Sequence, residues 1–275
     1  MYFSVSLLVS CASTSTEKNS IKLEQSICGL KEAIAFLLWS STAGRPDPSR
    51  IIDIKNIEDL SFTTKDNRIL RGYQLKAYSP EGQAVTAKGY LLVAQGNAML
   101  AEQIISSFQE FASAGYDVYI FDYRGYGRSE GKRRLKAILS DYGEIIDHLN
   151  SLPYANRLFY GMSFGGVVLL DALQGRSGKS RMVIDSTPSR LSNYGCPDTH
   201  DPVSNLPQNC AHALLIVGNK DTIVKPAMSK ELVDVASMRG ATLLQDPDLA
   251  HPFMDRGISL RNRRMSAVRS FLLDE

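Results

Sequence analysis

The sequence predicts an α/β fold in which a mostly parallel, twisted sheet of about eight strands is covered by helices on both faces. Two observations predict it. From position 89 onward, short continuous apolar runs alternate with longer amphipathic runs, the pattern of buried parallel strands joined by helices. The chain has 275 residues, of which 44% are hydrophobic, so it can bury one large core. We therefore expect a single principal domain over 50–275.

The first 20 residues contain a lipobox-like pattern. Positions 2–10 are apolar or small, Leu8-Val9-Ser10-Cys11 resembles a bacterial lipobox, and 12–20 form a polar, Ser/Thr-rich tether. This predicts a truncated signal segment, an acyl anchor on Cys11 and a place at a membrane surface of the bacterial cell envelope. No Lys or Arg precedes Cys11, so the alternative of a frayed terminus on a cytoplasmic protein stays open. Since no run of 18 apolar residues occurs, no membrane-spanning helix is expected.

An N-terminal helix is predicted within 21–45. Over 21–40 apolar side chains recur at helical spacing, and a segment that contains Gly44 and Pro46 ends the pattern. We expect this helix to pack onto the domain through its apolar stripe, or to belong to the tether. The stripe consists of Leu23, Ile27, Leu30, Ile34 and Leu38.

Strands over 57–63 and 70–78 predict an antiparallel hairpin ahead of the parallel sheet, because Lys65-Asp66-Asn67 between them is a turn signal. Strands and helices then alternate to the end of the chain. The other predicted strands cover 89–94, 116–121, 158–160, 182–184, 213–217 and 241–244, and the helices cover 101–114, 135–152, 167–173, 227–236 and 259–273. In such a sheet, ligands bind at the carboxyl ends of the strands.

A G-x-S-x-G segment, Gly161-Met162-Ser163-Phe164-Gly165, follows the apolar run 158–160 and opens the helix over 167–173. A serine on a sharp strand-to-helix turn needs glycine on each side, because a Cβ there would collide with the packed backbone. The motif alone arises by accident in roughly one such chain in ten. The strand before it and the helix after it are the context that it requires. We therefore predict that Ser163 is a nucleophile.

An activated serine requires a base, and the chain offers four histidines. His251 follows the last predicted strand, at the end of the sheet where a base can reach Ser163. The other three, His148, His200 and His212, lie in a predicted helix, in a polar loop and just before a strand. We interpret those three as surface or packing residues.

A histidine base also needs a carboxylate that fixes its tautomer and stabilises the imidazolium. Asp221 lies just beyond the strand over 213–217 and is the predicted acid, with Asp185 as the alternative. The resulting chain order, Ser163, Asp221, His251, is the nucleophile, acid, base order of α/β-hydrolases.

On these residues the chain resembles the α/β-hydrolase superfamily, and within it the branch of single-domain serine esterases, thioesterases and aminopeptidase-like enzymes with a short lid. Residues 121–131, Phe-Asp-Tyr-Arg-Gly-Tyr-Gly-Arg-Ser-Glu-Gly, resemble the D-x-R-G-x-G-x-S-x-G turn of that branch. The likeness covers roughly 55–273. It implies a catalytic domain over 50–275 with a short lid loop over 185–211.

The resemblance also implies an oxyanion hole built from backbone N–H groups. Phe164 follows the serine and supplies one donor, and Asn97, in Gln95-Gly96-Asn97-Ala98, supplies the other. The family has His at the position of Gln95, and we expect the amide side chain there to hold the loop by hydrogen bonding. The expected pocket walls are Tyr126, Met162, Ile223, Val224 and Phe253.

These residues predict a serine hydrolase that cleaves carboxylic ester or thioester bonds of a small-molecule or acylated substrate through an acyl-enzyme. Two alternatives remain: a serine peptidase of the aminopeptidase type, and a binding protein of the same fold without catalysis. The net charge is only +2, so no nucleic-acid partner is expected. The run Lys132-Arg133-Arg134 is interpreted as a solvated helix entrance, with a phosphate- or lipid-binding role as the alternative. No cofactor is expected, and the oligomeric state stays open.

The four cysteines, at 11, 28, 196 and 210, have no C-x-x-C spacing, so no metal site is expected. Export would place the chain in an oxidising compartment. There we expect a disulfide between Cys196 and Cys210, which bracket a polar loop, and a free, buried Cys28. In the cytoplasm all four would be thiols.

Overall fold

The computed structural model describes residues 17–79, 81–176 and 180–274, and its centre is one sheet of eight strands. In chain order these are β1 (Ile57–Thr63), β2 (Ile69–Leu75), β3 (Gly89–Ala94), β4 (Tyr116–Phe121), β5 (Asn156–Met162), β6 (Ser180–Asp185), β7 (Ala213–Gly218) and β8 (Thr242–Asp246). The predicted Cys11 anchor lies outside the described residues. No helix of the described ranges is long and apolar enough to cross a membrane.

The strands lie in the order β1-β2-β4-β3-β5-β6-β7-β8. β1 and β2 form the predicted antiparallel hairpin, and β2 also pairs antiparallel with β4. All remaining neighbours pair in parallel. The predicted α/β architecture with a mostly parallel sheet is therefore confirmed, and the carboxyl ends of β5 to β8 lie along one edge.

Besides a helical segment at 17–23, the described ranges contain the helices α1 (Leu30–Thr42), α2 (Ala101–Ile104), α3 (Gln109–Ser113), α4 (Leu135–Ser151), α5 (Phe164–Ala172), α6 (Pro226–Met238) and α7 (Ile258–Leu273). A 3₁₀ turn, Ile105–Phe108, joins α2 and α3, so the predicted helix over 101–114 is interrupted. The side chains of alternate strand residues pack in two separate hydrophobic cores. Tyr90 and Leu92 of β3 pack in the cluster under α4 and α5, whereas Leu91 and Val93 pack in the cluster under α2, α3 and α7.

The prediction of one N-terminal helix over 21–40 is wrong. Residues 17–23 are helical, the chain then turns over 24–28, and α1 begins after Gly29, whose φ of 72° lies outside the helical region. The Glu32 carboxylate accepts hydrogen bonds from the amides of Cys28 and Leu135, which turns the polar side of α1 inward. Phe36 is buried on that same side, and most of the predicted apolar stripe faces outward instead.

The predicted disulfide is also wrong. Cys196 pairs with Cys28, across a sequence separation of 168 residues, and not with Cys210. Cys210 is a buried free thiol that donates a hydrogen bond to the Pro207 carbonyl, and burial raises the pKa of this thiol. Cys28 and Cys196 meet because the turn before α1 lies over the segment between β6 and β7, whereas Cys210 has entered the core beneath it. The bridge ties the N-terminal segment to the main domain.

The segment between β6 and β7 is short and contains only two 3₁₀ turns, Ser192–Tyr194 and Asp198–His200, among its described residues. The buried Asp201 carboxylate holds it together by accepting hydrogen bonds from the amide and hydroxyl of Ser192 and from Arg190. This segment covers the range for which the sequence predicts a short lid.

Candidate active site

Ser163 occupies the sharp turn between β5 and α5. Its φ of 54° and ψ of −119° are strained for a residue with a side chain, at a cost of about 1–3 kcal/mol. Two contacts to the next strand hold the turn: the Ser163 amide donates to the Asp185 carbonyl at 2.7 Å, and the Thr187 hydroxyl donates to the Ser163 carbonyl at 3.0 Å. The serine is half-buried at the carboxyl edge of the sheet.

The glycines after Ser163 let α5 start directly against the sheet. A Cβ on Gly165 would lie 1.8 Å from the Ala94 carbonyl oxygen, and a Cβ on Gly166 would lie 2.0 Å from the Thr187 hydroxyl. Both distances are far below van der Waals contact. Any larger residue would therefore push the helix, and with it Ser163, away from the end of β3.

His251 and Asp221 follow β8 and β7 and contact each other. His251 Nδ1 lies 2.8 Å from Asp221 Oδ2, and Asp221 is buried. The amides of Ile223 and Val224 each donate to Asp221 Oδ1 at 2.8 Å. Burial opposes ionisation of Asp221, but the His251 contact and these two amides outweigh it and hold its pKa below the usual value. The ionised carboxylate therefore accepts a hydrogen bond from Nδ1–H, and in this tautomer Nε2 carries the lone pair.

Buried contacts connect the His251 loop to Ser163. Arg264 of α7 donates to the carbonyl of Ala250, the residue before His251, and Asp255 accepts the Ala250 amide at 2.8 Å. Arg264 also pairs with Asp255 at 2.7 Å and with Asp185 at 2.6 Å. The backbone carbonyl of Asp185 in turn accepts a hydrogen bond from the Ser163 amide. This arrangement fixes both backbone groups of the residue that precedes the histidine.

In the part of the chain that the structure describes, Ser163 Oγ and His251 Nε2 form no hydrogen bond with each other. Such contacts are often long until substrate binds. Asp185, the alternative acid, has other partners. Its carboxylate accepts a hydrogen bond from the Tyr160 hydroxyl at 2.9 Å and pairs with Arg264, and it forms no hydrogen bond with His251. Of the two candidate acids, Asp221 is therefore the one whose carboxylate contacts His251.

The loop after β3 lies beside Ser163, since a Cβ on Gly96 would be 3.9 Å from Ser163 Cβ. Two buried tyrosines hold this loop: Tyr123 donates to the Gln95 carbonyl at 2.6 Å, and Tyr126 donates to the side-chain oxygen of Asn97. The Gln95 side chain donates to the Met99 carbonyl at 3.3 Å, so it does hold the loop as expected. Across the turn, Phe164 is the first residue of α5, and its amide has no partner within the helix.

The five expected pocket residues differ in how deeply their side chains are buried. Tyr126, Met162 and Val224 are buried in the cores, and Tyr126 supports Asn97 rather than facing outward. Ile223 is 53% exposed and Phe253 is half-buried. In this conformation a substrate can contact Ile223 and Phe253, whereas the other three lie behind the surface.

The other histidines have structural surroundings. His148 stacks at 5.7 Å from the Phe62 ring, His200 Nδ1 lies 2.7 Å from Asp171 Oδ2, and His212 is exposed before β7. Within the described ranges, no group of three or more His, Cys, Asp or Glu side chains could hold a metal ion.

Three contacts of the site were not predicted. Thr187 anchors the Ser163 carbonyl, Arg264 with Asp255 fixes the His251 loop, and the ring of Phe36 packs edge-on against Phe164 at 5.5 Å. The sequence gives no periodicity or motif that marks the first two. For Phe36, a signal existed in α1, but the stripe of leucines and isoleucines around it pointed to the opposite face.

Several known proteins are similar to this chain. A family model described as serine aminopeptidase, S33 (Hydrolase_4), matches residues 86–199. The uncharacterized protein YfhR of Escherichia coli O157:H7 is 31% identical over 240 residues, which cover 78% of this chain and 81% of that protein. The match to YfhR of Escherichia coli K12, also 31% identical, spans 137 residues and 47% of each chain.

A monoacylglycerol lipase of Mycolicibacterium smegmatis is 36% identical over 87 residues, which cover 30% of this chain and 31% of that enzyme. Among solved structures, the esterase Pf2001 of Pyrococcus furiosus superimposes with a TM-score of 0.64 over 84% of this chain and 94% of that chain. Its identity to this chain is 20%, so that likeness concerns the fold.

Proposed function

Because the chain belongs to the α/β-hydrolase superfamily, as the Hydrolase_4 family model, the match to YfhR over most of both chains and the fold together establish, we propose that it is a serine hydrolase of carboxylic ester or thioester bonds. In this proposal Ser163 is the nucleophile, His251 the base and Asp221 the acid that orients it. The names of two similar proteins, a lipase and an esterase, support an ester substrate.

The observation that carries the proposal is the hydrogen bond between His251 Nδ1 and the buried, ionised Asp221. It fixes the tautomer in which Nε2 accepts a proton, at the same sheet edge as a serine on a strained turn. His200 makes a similar contact to Asp171, so this contact alone does not mark a base. What distinguishes His251 is its place after β8, at the sheet edge that carries Ser163. Holding the loop through Arg264 and Asp255 keeps His251 Nε2 in place between turnovers.

The first half of the reaction forms the acyl-enzyme. His251 Nε2 takes the Ser163 hydroxyl proton as Oγ attacks the substrate carbonyl carbon, and Asp221 stabilises the imidazolium. The negative charge that develops on the carbonyl oxygen is held by the amides of Phe164 and Asn97. The tetrahedral intermediate then collapses, and the imidazolium gives its proton to the departing alcohol or thiol.

The second half regenerates the enzyme. Water loses a proton to His251 and attacks the acyl-serine carbonyl, and the same two amides hold the second oxyanion. Collapse releases the carboxylic acid and returns the proton to Ser163 Oγ. Since Tyr123 and Tyr126 already hold the loop that carries Asn97, little reorganisation is required at either step.

Turnover of a p-nitrophenyl ester and thioester panel of rising acyl length tests this function. Ser163→Ala and His251→Ala are expected to lower kcat by at least about a thousandfold while leaving the unfolding midpoint within the range of the wild type. His212→Ala, an exposed histidine outside the site, is the matched control and should keep full activity. Unchanged turnover in Ser163→Ala would contradict the proposal.

The description of the matching family model as serine aminopeptidase favours a second candidate function, cleavage of an amide next to a free amine. The same serine, histidine and oxyanion donors would perform it. A parallel panel of aminoacyl-p-nitroanilides separates the two candidates, since kcat/KM should be higher for esters under our proposal and higher for the anilides under the alternative. Absence of turnover on both panels by the folded protein would favour a binding protein without catalysis.

A further inference from the structure

The outer face of α1 is an apolar stripe in contact with solvent. Leu30, Ile34, Leu37 and Leu38 recur at helical spacing on one side and are 89, 59, 59 and 60% exposed. Four neighbouring large apolar side chains at such exposure are unusual for a surface helix. We call this face the α1 stripe.

Basic side chains border the α1 stripe. Lys31 lies on α1 itself and is exposed, and Arg45 follows the end of the helix. The run Lys132-Arg133-Arg134 lies along the other side, where Arg133 donates to the Ser40 hydroxyl of α1. A lysine-rich pocket of about 280 Å³ lies under the preceding helical segment 17–23.

Two of the three acidic side chains of 17–45, Glu24 and Glu32, are buried and form hydrogen bonds within the protein. Glu24 accepts from Arg68 and from the Lys132 amide, and Glu32 accepts from three backbone amides. Among the exposed ionisable residues of 17–45, bases therefore outnumber acids: Lys18, Lys22, Lys31 and Arg45 stand against Glu17. The outward surface around the α1 stripe carries positive charge.

An apolar helix face with cationic margins matches one partner: the surface of a bilayer that contains anionic lipids, whose acyl region takes the leucines and whose phosphates take the lysines and arginines. Trp39 is half-exposed on the flank of the same helix, beside the α1 stripe, where it packs edge-on against the buried Phe36; tryptophan is of the type that prefers the membrane interface. A second copy of the chain is a poorer occupant, because stripe-to-stripe contact would bring the two Lys31 side chains and their basic neighbours together.

We propose that α1 is an interfacial helix that docks the protein onto an anionic lipid bilayer. This surface is separate from an acyl anchor on Cys11 and does not depend on the proposed hydrolase activity. The inner face of α1 contacts the candidate site, because Phe36 packs on Phe164. The Cys28–Cys196 disulfide joins the start of α1 to the segment after β6. Docking would therefore hold Ser163 near the lipid interface.

Vesicle binding of the full chain tests this proposal, with Cys11→Ser in every protein so that acylation cannot contribute. Co-sedimentation with phosphatidylglycerol/phosphatidylethanolamine vesicles is compared with phosphatidylcholine vesicles. The chain has a single tryptophan, so a blue shift of its emission and quenching by brominated lipid report on α1 directly. We expect binding and a blue shift with the anionic vesicles only, both weakened by 0.5 M salt.

Exposed side chains supply matched variants that should all fold. Ile34→Ser/Leu37→Ser/Leu38→Ser is expected to weaken anionic-vesicle binding at least about tenfold. The control variant, Ile52→Ser/Met238→Ser/Ile258→Ser, changes three apolar residues elsewhere that are even more exposed, and it should bind like the parent. Neutralising two exposed bases, Lys22→Gln/Lys31→Gln, is expected to weaken binding about 30-fold.

Three results would overturn the proposal: no binding to anionic vesicles, equal binding by the stripe variant and its parent, or binding without any change in Trp39 emission. A solution dimer that the stripe variant dissociates, with no vesicle binding by the parent, would assign the α1 stripe to a second copy of the chain instead. Loss of binding in the control variant to the same degree would likewise reject α1 as the docking element.

Discussion

Replacing Arg264 by methionine should destabilise the protein far more than its single position on a surface helix suggests. The guanidinium is 2% exposed and forms ion pairs with Asp185 and Asp255, whose side chains are both fully buried, while also donating to the Ala250 carbonyl. Arg264→Met keeps much of the packed volume but leaves two buried carboxylates without their cation.

Breaking a buried pair by removing one partner typically costs about 3–5 kcal/mol. We therefore expect Arg264→Met to lower the free energy of unfolding by about 4 kcal/mol at pH 7.5, a large share of the roughly 5–15 kcal/mol that a domain has. The stranded carboxylates can escape the penalty by taking up protons, so the loss should shrink at pH 5. Urea unfolding followed by far-UV circular dichroism at the two pH values measures both quantities.

The compensating variant isolates the charge effect. Arg264→Met/Asp185→Asn/Asp255→Asn removes both negative charges but keeps an amide oxygen to accept from Tyr160 and from the Ala250 amide. It should recover most of the lost stability. A loss below about 1 kcal/mol in the single variant, or no recovery in the triple variant, would refute the view that buried charge balance fixes the His251 loop.

Three further changes follow from the structure. Gly165→Ala should lower the free energy of unfolding by about 3 kcal/mol and remove activity, because its Cβ would lie 1.8 Å from a backbone oxygen of β3. Thermal unfolding and ester turnover measure the two effects, and wild-type values in both would contradict this prediction. Burial raises the pKa of Asp122 to about 6, so the folded state keeps a proton that the unfolded chain releases near 3.8, and stability falls as pH rises between these values. Relative to Asp122→Asn, the wild type should therefore lose about 2 kcal/mol between pH 4.5 and pH 7 in urea titrations, and a constant difference would reject the raised pKa. Cys28→Ser/Cys196→Ser should lower the free energy of unfolding by about 2–5 kcal/mol, because the disulfide joins residues 168 positions apart. Cys210→Ser removes a free thiol, so its effect on stability should be the same with and without reductant. An unchanged melting temperature in the double variant would show that the disulfide constrains the chain little.

The main domain was predictable because its local patterns and its tertiary structure agree. Continuous apolar runs at 89–94, 116–121 and 213–217 became fully buried strands, since a parallel sheet covered on both faces leaves no room for polar alternation. The position of the G-x-S-x-G turn followed from the same logic. So did the meeting of Asp221 and His251, because residues after neighbouring parallel strands reach the same sheet edge.

The N-terminal segment was not predictable from its periodicity. Its apolar residues form a helical stripe, but the buried side of α1 is set by Glu32 and Phe36, which satisfy backbone amides and pack on Phe164. Sequence spacing also favoured the near pair Cys196 and Cys210, whereas the observed bridge depends on how a distant segment lies on the domain. The Arg264 network was not predictable for the same reason, because its residues are separated in sequence and are brought together only by the fold.

Labelling of the purified protein with a fluorophosphonate probe, with the adduct located by mass spectrometry, tests whether Ser163 is an activated nucleophile. We expect one adduct, on Ser163, that forms rapidly in the wild type, forms at least about a hundredfold more slowly in His251→Ala and is absent in Ser163→Ala. A folded wild-type protein that takes up no label, or one that is labelled equally well without His251, would contradict this expectation.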